Sequence, residues 1–154
     1  MADEPLNIPE IFEDIKGRID PLYAKTIACE EGWHKLVAEC HLEILKIDPN
    51  YKIYQIKEKF GSLRYYFDTK LGDMVEYEIF QVASKYELLS QEVCEKTGKP
   101  GVLMFKQGLY KTLAGEFEND GWLPQRRITY EKIFGKEQEV TEVSDDRTSP
   151  RTTS

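Results

Sequence analysis

A short segment near the middle of the chain has the spacing of metal chemistry but not its ligands. Cys94-Glu95-Lys96-Thr97-Gly98-Lys99-Pro100-Gly101 reads as the first knuckle of a two-knuckle metal site in which threonine takes the second thiol position. Gly108-Leu109-Tyr110-Lys111-Thr112-Leu113-Ala114 ends in alanine where a second knuckle would begin with cysteine. A zinc ion takes four N, S or O donors in a tetrahedron, and Cys94 alone cannot provide them. The expectation is therefore no metal and no other cofactor, with the element held by packing.

The remaining reactive side chains do not assemble into a catalytic pattern. His34 and His41 are seven residues apart, so on a helix they share a side but stand about 10 Å apart along the axis, too far to ligate one ion. They read as helix-surface histidines. Cys29 precedes a helix start, which can activate a thiol, but no supporting His or Asp pattern accompanies it; Cys29 and Cys40 read as structural. Nucleotide-binding glycine loops, a P-loop, a serine nucleophile elbow and a zinc-protease helix are all missing from the sequence. What stands out instead is charge. Lys52, Lys57, Lys59 and Arg64 face one acid, Glu58, over that stretch, inside a chain of formal charge −7. With Tyr54, Tyr65 and Tyr66 nearby, such a surface can hold a phosphate, a carboxylate-rich partner or a stacked single strand. A solvated hairpin face whose lysines discourage strand pairing is the plainer reading.

The elements that position these residues follow from hydrophobic period. Ile8 to Ile27 is a lead-in, with Pro9 suited to a first helical position and Asp20-Pro21 breaking it before a second short helix. Trp33, Leu36, Val37, Cys40, Ile44 and Ile47 form one continuous helical stripe, ended by Asp48-Pro49-Asn50. The period then changes to two. Tyr51 to Phe60 and Leu63 to Phe67, joined by Gly61-Ser62, predict a β-hairpin. Tyr54, Ile56, Phe60, Leu63, Tyr65 and Phe67 are expected to face the helices, leaving Lys57, Lys59, Arg64 and Tyr66 outside. A long helix capped by Asp73 carries a core stripe of Val75, Ile79, Val82, Tyr86 and Leu89. A second hairpin, Val102 to Phe105 and Leu109 to Thr112, precedes a packed loop at Gly121 to Pro124 and a short helix over Thr129 to Phe134. The fold class is α+β: two main helices on a small antiparallel hairpin sheet, plus a metal-free, zinc-ribbon-like β-hairpin.

Residues 1–136 are expected to form one domain. From Glu137 onward two valines are the only large apolar residues among five acids and two arginines, so residues 137–154 read as a disordered acidic tail. Of the 154 residues, 40% are hydrophobic and 32% charged, as in an ordinary soluble domain. No apolar run is long enough for a bilayer. An acidic N-terminus argues against a secretory signal, and three irregularly spaced cysteines suit a reducing cytoplasm.

Three segments in order carry a resemblance. Glu31-Gly32-Trp33-His34-Lys35-Leu36-Val37 leads to Cys40; Gln55-Ile56-Lys57-Glu58-Lys59-Phe60-Gly61-Ser62-Leu63-Arg64-Tyr65-Tyr66 follows; Cys94-Glu95, Gly98, Pro100-Gly101 and Lys111-Thr112-Leu113 complete it. Together they resemble a family of small uncharacterised bacteriophage and prophage proteins, in which a GW…L helix and a VKEKFG-LR-Y hairpin precede a Cys-x-x-Cys ribbon. The resemblance covers Ile8 to Phe117 and implies a source, not a reaction; Thr97, Ala114 and Phe117 depart from it where ligands are expected. The function expected from all this is non-enzymatic: a phage-type protein binding a host or viral macromolecule, a protein before a nucleic acid, through Lys57, Lys59, Arg64 and Tyr66. Nucleic-acid binding through the same residues is one rival. Handling of a small phosphorylated ligand, with Lys57, Arg64 and Glu58 converging in a pocket, is the other.

Overall fold

The computed structural model describes residues 5–125. The short helix over Thr129 to Phe134, the domain boundary at 136 and the acidic tail lie outside the described residues. Within them the chain is α+β, with two three-stranded sheets.

Helix α1, Ile8–Arg18, starts where Asn7 accepts the Glu10 backbone N–H and Pro9 fills the first turn. Asp20-Pro21 ends it, but no second helix follows. The chain turns and enters a two-residue strand β1, Ile27–Ala28, because Asp20 donates its backbone N–H to Ile53 and Ile19 bridges Ile53 in parallel. A short 3-10 helix, Glu31–Trp33, then feeds α2, His34–Ile47. Strands β2, Lys52–Lys59, and β3, Ser62–Asp68, form the expected hairpin, and the sheet order is β1-β2-β3. Helix α3, Asp73–Ser90, packs on both α2 and β3. Its N-cap is Gly72, with φ 103°, and Asp73 is the first helical residue.

The main core joins Ile15, Trp33, Val37, Cys40, Ile44, Tyr51, Ile53, Ile56, Leu63, Tyr65, Ile79 and Tyr86. Trp33 and the middle of the α2 stripe are fully enclosed, as the period requires. On α3 the stripe is shallower: Ile79 and Tyr86 are buried, Val75 and Val82 are half-buried, and Leu89 is exposed. The inward faces of the hairpin also differ from simple alternation. The pairing slips between Ile53 and Gln55, so Ile53 and Ile56 both point inward and Tyr54 and Gln55 both stay outside. A β-bulge inserts one residue and reverses the alternation beyond it. Phe60 is exposed for a different reason, since it sits in the turn.

That turn has a measurable consequence. Lys59 pairs with Ser62, and the two residues between them, Phe60 and Gly61, have φ of 51° and 80°. This geometry favours Asn-Gly, and a bulky residue there is strained. Phe60→Asn is expected to raise unfolding stability by roughly 0.5–1 kcal/mol in a denaturant titration. A loss of stability would show that Phe60 packs against something the turn geometry does not reveal.

Strands β4, Val102–Lys106, β5, Leu109–Leu113, and β6, Leu123–Pro124, form the second sheet, in the order β5-β4-β6. The sequence makes Leu123 and Pro124 loop residues; they pair instead with Phe105 and Met104. Cys94, Met104, Leu113, Ala114 and Trp122 form a small separate core under this sheet.

Candidate functional site

The hairpin register sets Lys57 opposite Arg64, Gln55 opposite Tyr66 and Lys59 opposite Ser62, so the four residues expected to bind do share the outer face. They do not act as one patch. Arg64 is half-buried, donates from Nε to the Ser62 hydroxyl at 3.1 Å and lies 3.7 Å from the Glu87 carboxylate on α3. Its charge is partly offset. Lys59 is exposed and extends over the Phe60 ring. Glu58 turns away from Lys57 and Arg64: its carboxylate accepts the Gly61 backbone N–H at 2.9 Å and lies 3.8 Å from Lys111. Lys57, Arg64 and Glu58 therefore do not converge as a phosphate-handling site would need.

Arg64 and Tyr66 instead border a groove that strand alternation alone does not disclose. It has a volume of about 680 Å³ and runs between β3 and α3, with Tyr54 and Tyr66 on the sheet side and Tyr77 and Phe80 on the helix side. A second hollow of about 620 Å³ shares Tyr77 and Phe80 and continues along α3 past Leu88. Tyr66, Tyr77, Phe80 and Leu88 are 41%, 61%, 57% and 65% exposed, and Met74 is 85% exposed. Helix α3 is thus apolar on two sides. Ile79 and Tyr86 face the core, while Met74, Tyr77, Phe80 and Leu88 face outward. A helix needs only one apolar side for packing. The bulge at Tyr54 supplies the sheet's contribution, since simple alternation would have turned that ring inward. The signal that could have revealed this face is the row of large apolar residues at positions 74, 77, 80 and 88, off the core stripe.

Two buried polar networks lie elsewhere. In the first, His41 is 1% exposed, contrary to its reading as a surface histidine. Val37, Cys40, His41 and Ile44 recur at helical spacing, and that pattern could have placed His41 inside. Nε2 lies 2.7 Å from Asp14, Nδ1 lies 2.6 Å from the Tyr51 hydroxyl, and that hydroxyl lies 2.6 Å from Tyr65. One proton arrangement satisfies every group. Tyr65 donates to Tyr51, Tyr51 donates to Nδ1, and Nε2–H donates to the Asp14 carboxylate. A second ring proton would reverse the chain and strand the Tyr65 hydroxyl hydrogen without an acceptor among the described residues.

Burial accordingly lowers the His41 pKa, outweighing the upward pull of Asp14. The unfolded chain takes up this proton near the ordinary value of 6.5 while the folded chain refuses it. Stability is therefore complete above that pH and declines as pH falls below it. In His41→Gln, where the side chain is neutral at every pH, the decline that begins as pH falls below the ordinary histidine value should disappear from chemical denaturation curves. An unchanged pH profile would remove His41 as its source.

The second network joins the two sheets. Glu95, 1% exposed, accepts Lys111 Nζ at 2.9 Å and the Glu30 backbone N–H at 3.1 Å. Lys111 also lies 3.7 Å from Glu30. With a partner on each carboxylate oxygen, Glu95 clamps Lys111 of β5 to the segment that leads into α2. Cys29 beside it is held protonated: burial first, then the charge of Glu95, pushes its thiol up to about 12. Burial likewise raises Cys40.

At the knuckle, burial acts to raise the Cys94 pKa, but the Thr97 hydroxyl and the backbone N–H groups of Thr97, Ala114 and Lys96 outweigh it and lower the thiol. Thr97 N–H reaches the sulfur at 3.4 Å. A zinc ion does not fit these residues: Thr97 is exposed, Ala114 brings no donor, and among the described residues no group of three or more His, Cys, Asp or Glu is arranged around an ion.

Among the described residues no helix is long and apolar enough to cross a membrane. No protein-family model matches the chain, and neither a curated protein nor a solved structure is significantly similar to it.

Proposed function

We propose that this chain is a non-enzymatic, phage-type protein that binds a host or viral protein in the host cytoplasm and modulates it, and that it does so through the face shared by β3 and α3. The observation that carries this is the outward apolar row on α3, Met74, Tyr77, Phe80 and Leu88, continued by Tyr54 and Tyr66 on the sheet. Contiguous exposed apolar surface on a soluble domain marks an interaction site, and exposed tyrosine and phenylalanine in a groove are typical interface anchors. The phage-type source rests on the motif resemblance alone.

Nucleic acid is the weaker reading. Its affinity depends on phosphate neutralisation, while Arg64 is tied to Glu87 and the groove is edged by Asp73 and Glu76. The test is a photo-crosslinking amino acid placed in turn at positions 77, 80, 57 and 59 of the full chain, in bacterial cells. A protein adduct of one discrete mass from positions 77 and 80, and none from 57 and 59, is expected. Adducts confined to 57 and 59 would return the site to the basic hairpin.

A further inference from the structure

The shape and charge of the α3 face narrow the chemistry of what docks there, on the reading that this face is the binding surface. The apolar row from Met74 to Leu88 covers four helical turns, about 21 Å at 1.5 Å per residue. Both hollows along it are shallow and share Tyr77 and Phe80. A linear, open apolar row of this length suits a helix lying along α3 better than a compact ligand.

The edges of the row are acidic. Asp73, Glu76 and Glu87 edge the first hollow and Glu92 the second. The two cations there are already engaged, Arg64 with Glu87 at 3.7 Å and Lys85 with Glu43 at 2.8 Å. Asp73, Glu76 and Glu92 make no ion pair with a described residue. A second copy of this chain would set Asp73, Glu76, Glu78 and Glu87 against the same acids, and like charges across an interface are costly. The complementary occupant carries the opposite sign.

We infer that the groove takes a basic amphipathic helix of a partner protein, its apolar side on Tyr77, Phe80 and Leu88 and its lysines or arginines over Glu76 and Glu92. Neither component suffices alone. Apolar contact supplies the anchoring, and the acidic edge selects the sign of the partner.

The probes are two synthetic helical peptides matching the 18 residues of α3 in length, one built of Leu and Lys, the other with Glu in place of Lys. Binding to the full chain is read by fluorescence anisotropy at about 0.15 M salt, where weak long-range attraction is screened. The Leu/Lys peptide should bind at least about tenfold more tightly than the Leu/Glu peptide. Tyr77→Ser/Phe80→Ser and, separately, Glu76→Lys should each weaken it by about tenfold or more, while Glu118→Lys, in the 3-10 helix Gly115–Asp120 and outside both hollows, should not. Equal binding of both peptides would overturn the inference by removing the selection of charge sign, and equal loss from Glu118→Lys would overturn it by reducing the preference to general charge attraction. Binding that appears only after removal of residues 126–154 would also overturn it, because the chain's own Arg126-Arg127-Ile128 region would then be the occupant. Any of these results leaves the crosslinking map of the face intact, whereas crosslinks confined to positions 57 and 59 would remove the face itself.

Discussion

Gly32→Ala is expected to lower unfolding stability by roughly 3 kcal/mol, a large cost for one methyl group. A Cβ at Gly32 would stand 2.2 Å from the Cys94 carbonyl oxygen and 2.5 Å from that of Glu95. Both are backbone atoms, so no side-chain rotation can relieve the clash. The approach is close because the segments are bonded there: Gly32 N–H donates to the Glu95 carbonyl at 2.7 Å, and the Trp33 indole donates to Val93 at 2.8 Å. Trp33 is completely buried, so the start of α2 cannot swing away without opening the core. Equilibrium denaturation should show the midpoint falling with little change in slope. A loss below about 0.5 kcal/mol would mean that the two segments separate easily.

Lys111→Met should cost about 3–5 kcal/mol, because it removes the cation from a carboxylate buried at the junction of the sheets. Glu95 is 1% exposed and takes Lys111 on one oxygen and the Glu30 backbone N–H on the other. Glu30 and Glu58 both approach Lys111, at 3.7 and 3.8 Å, so the substitution leaves three acids around an uncharged side chain. On Lys111 itself, burial acts to lower the pKa, but the hydrogen bond and charge of Glu95 outweigh it and hold the ammonium charged. The double variant Glu95→Gln/Lys111→Met should recover part of the loss, since it removes the isolated charge. A double variant as unstable as the sum of the two single ones would show that the two groups act independently.

The residues Gly32 and Trp33 explain much about what the sequence discloses. Periodicity alone assigns Trp33 to the core, and the structure agrees. Nothing in the periodicity reveals that Gly32 is a contact between backbones more than sixty residues apart, since such an approach depends on tertiary docking. The α2 stripe and the hairpin were legible because each buries one continuous side at a constant period. The α3 stripe was only half legible. Its period is correct, but the helix lies at the sheet's edge, so Val82 is only half-buried and Leu89 is exposed.

The outer face shows the same limit. Lys57, Lys59, Arg64 and Tyr66 do share one side of the hairpin, as alternation requires. The partner of Arg64, Glu87, comes from a helix more than twenty residues later, and hairpin alternation carries no information about it. Tyr54 reaches that outer side through a bulge, which sequence alternation treats as an error of one residue. His41 is polar, yet its spacing from Val37, Cys40 and Ile44 is that of a core residue, and the structure buries it.

The central claim is that the outward row on α3 serves binding and not folding. It is tested by the affinity of the protein crosslinked at positions 77 and 80 for the unmodified chain and for Tyr77→Ser/Phe80→Ser. Both rings are more than half exposed, so the two chains should melt alike. Affinity should fall by about thirtyfold or more, the loss of roughly 2 kcal/mol expected for removing anchoring aromatics. An affinity unchanged by the double substitution, in a variant that melts with the parent, would contradict the claim.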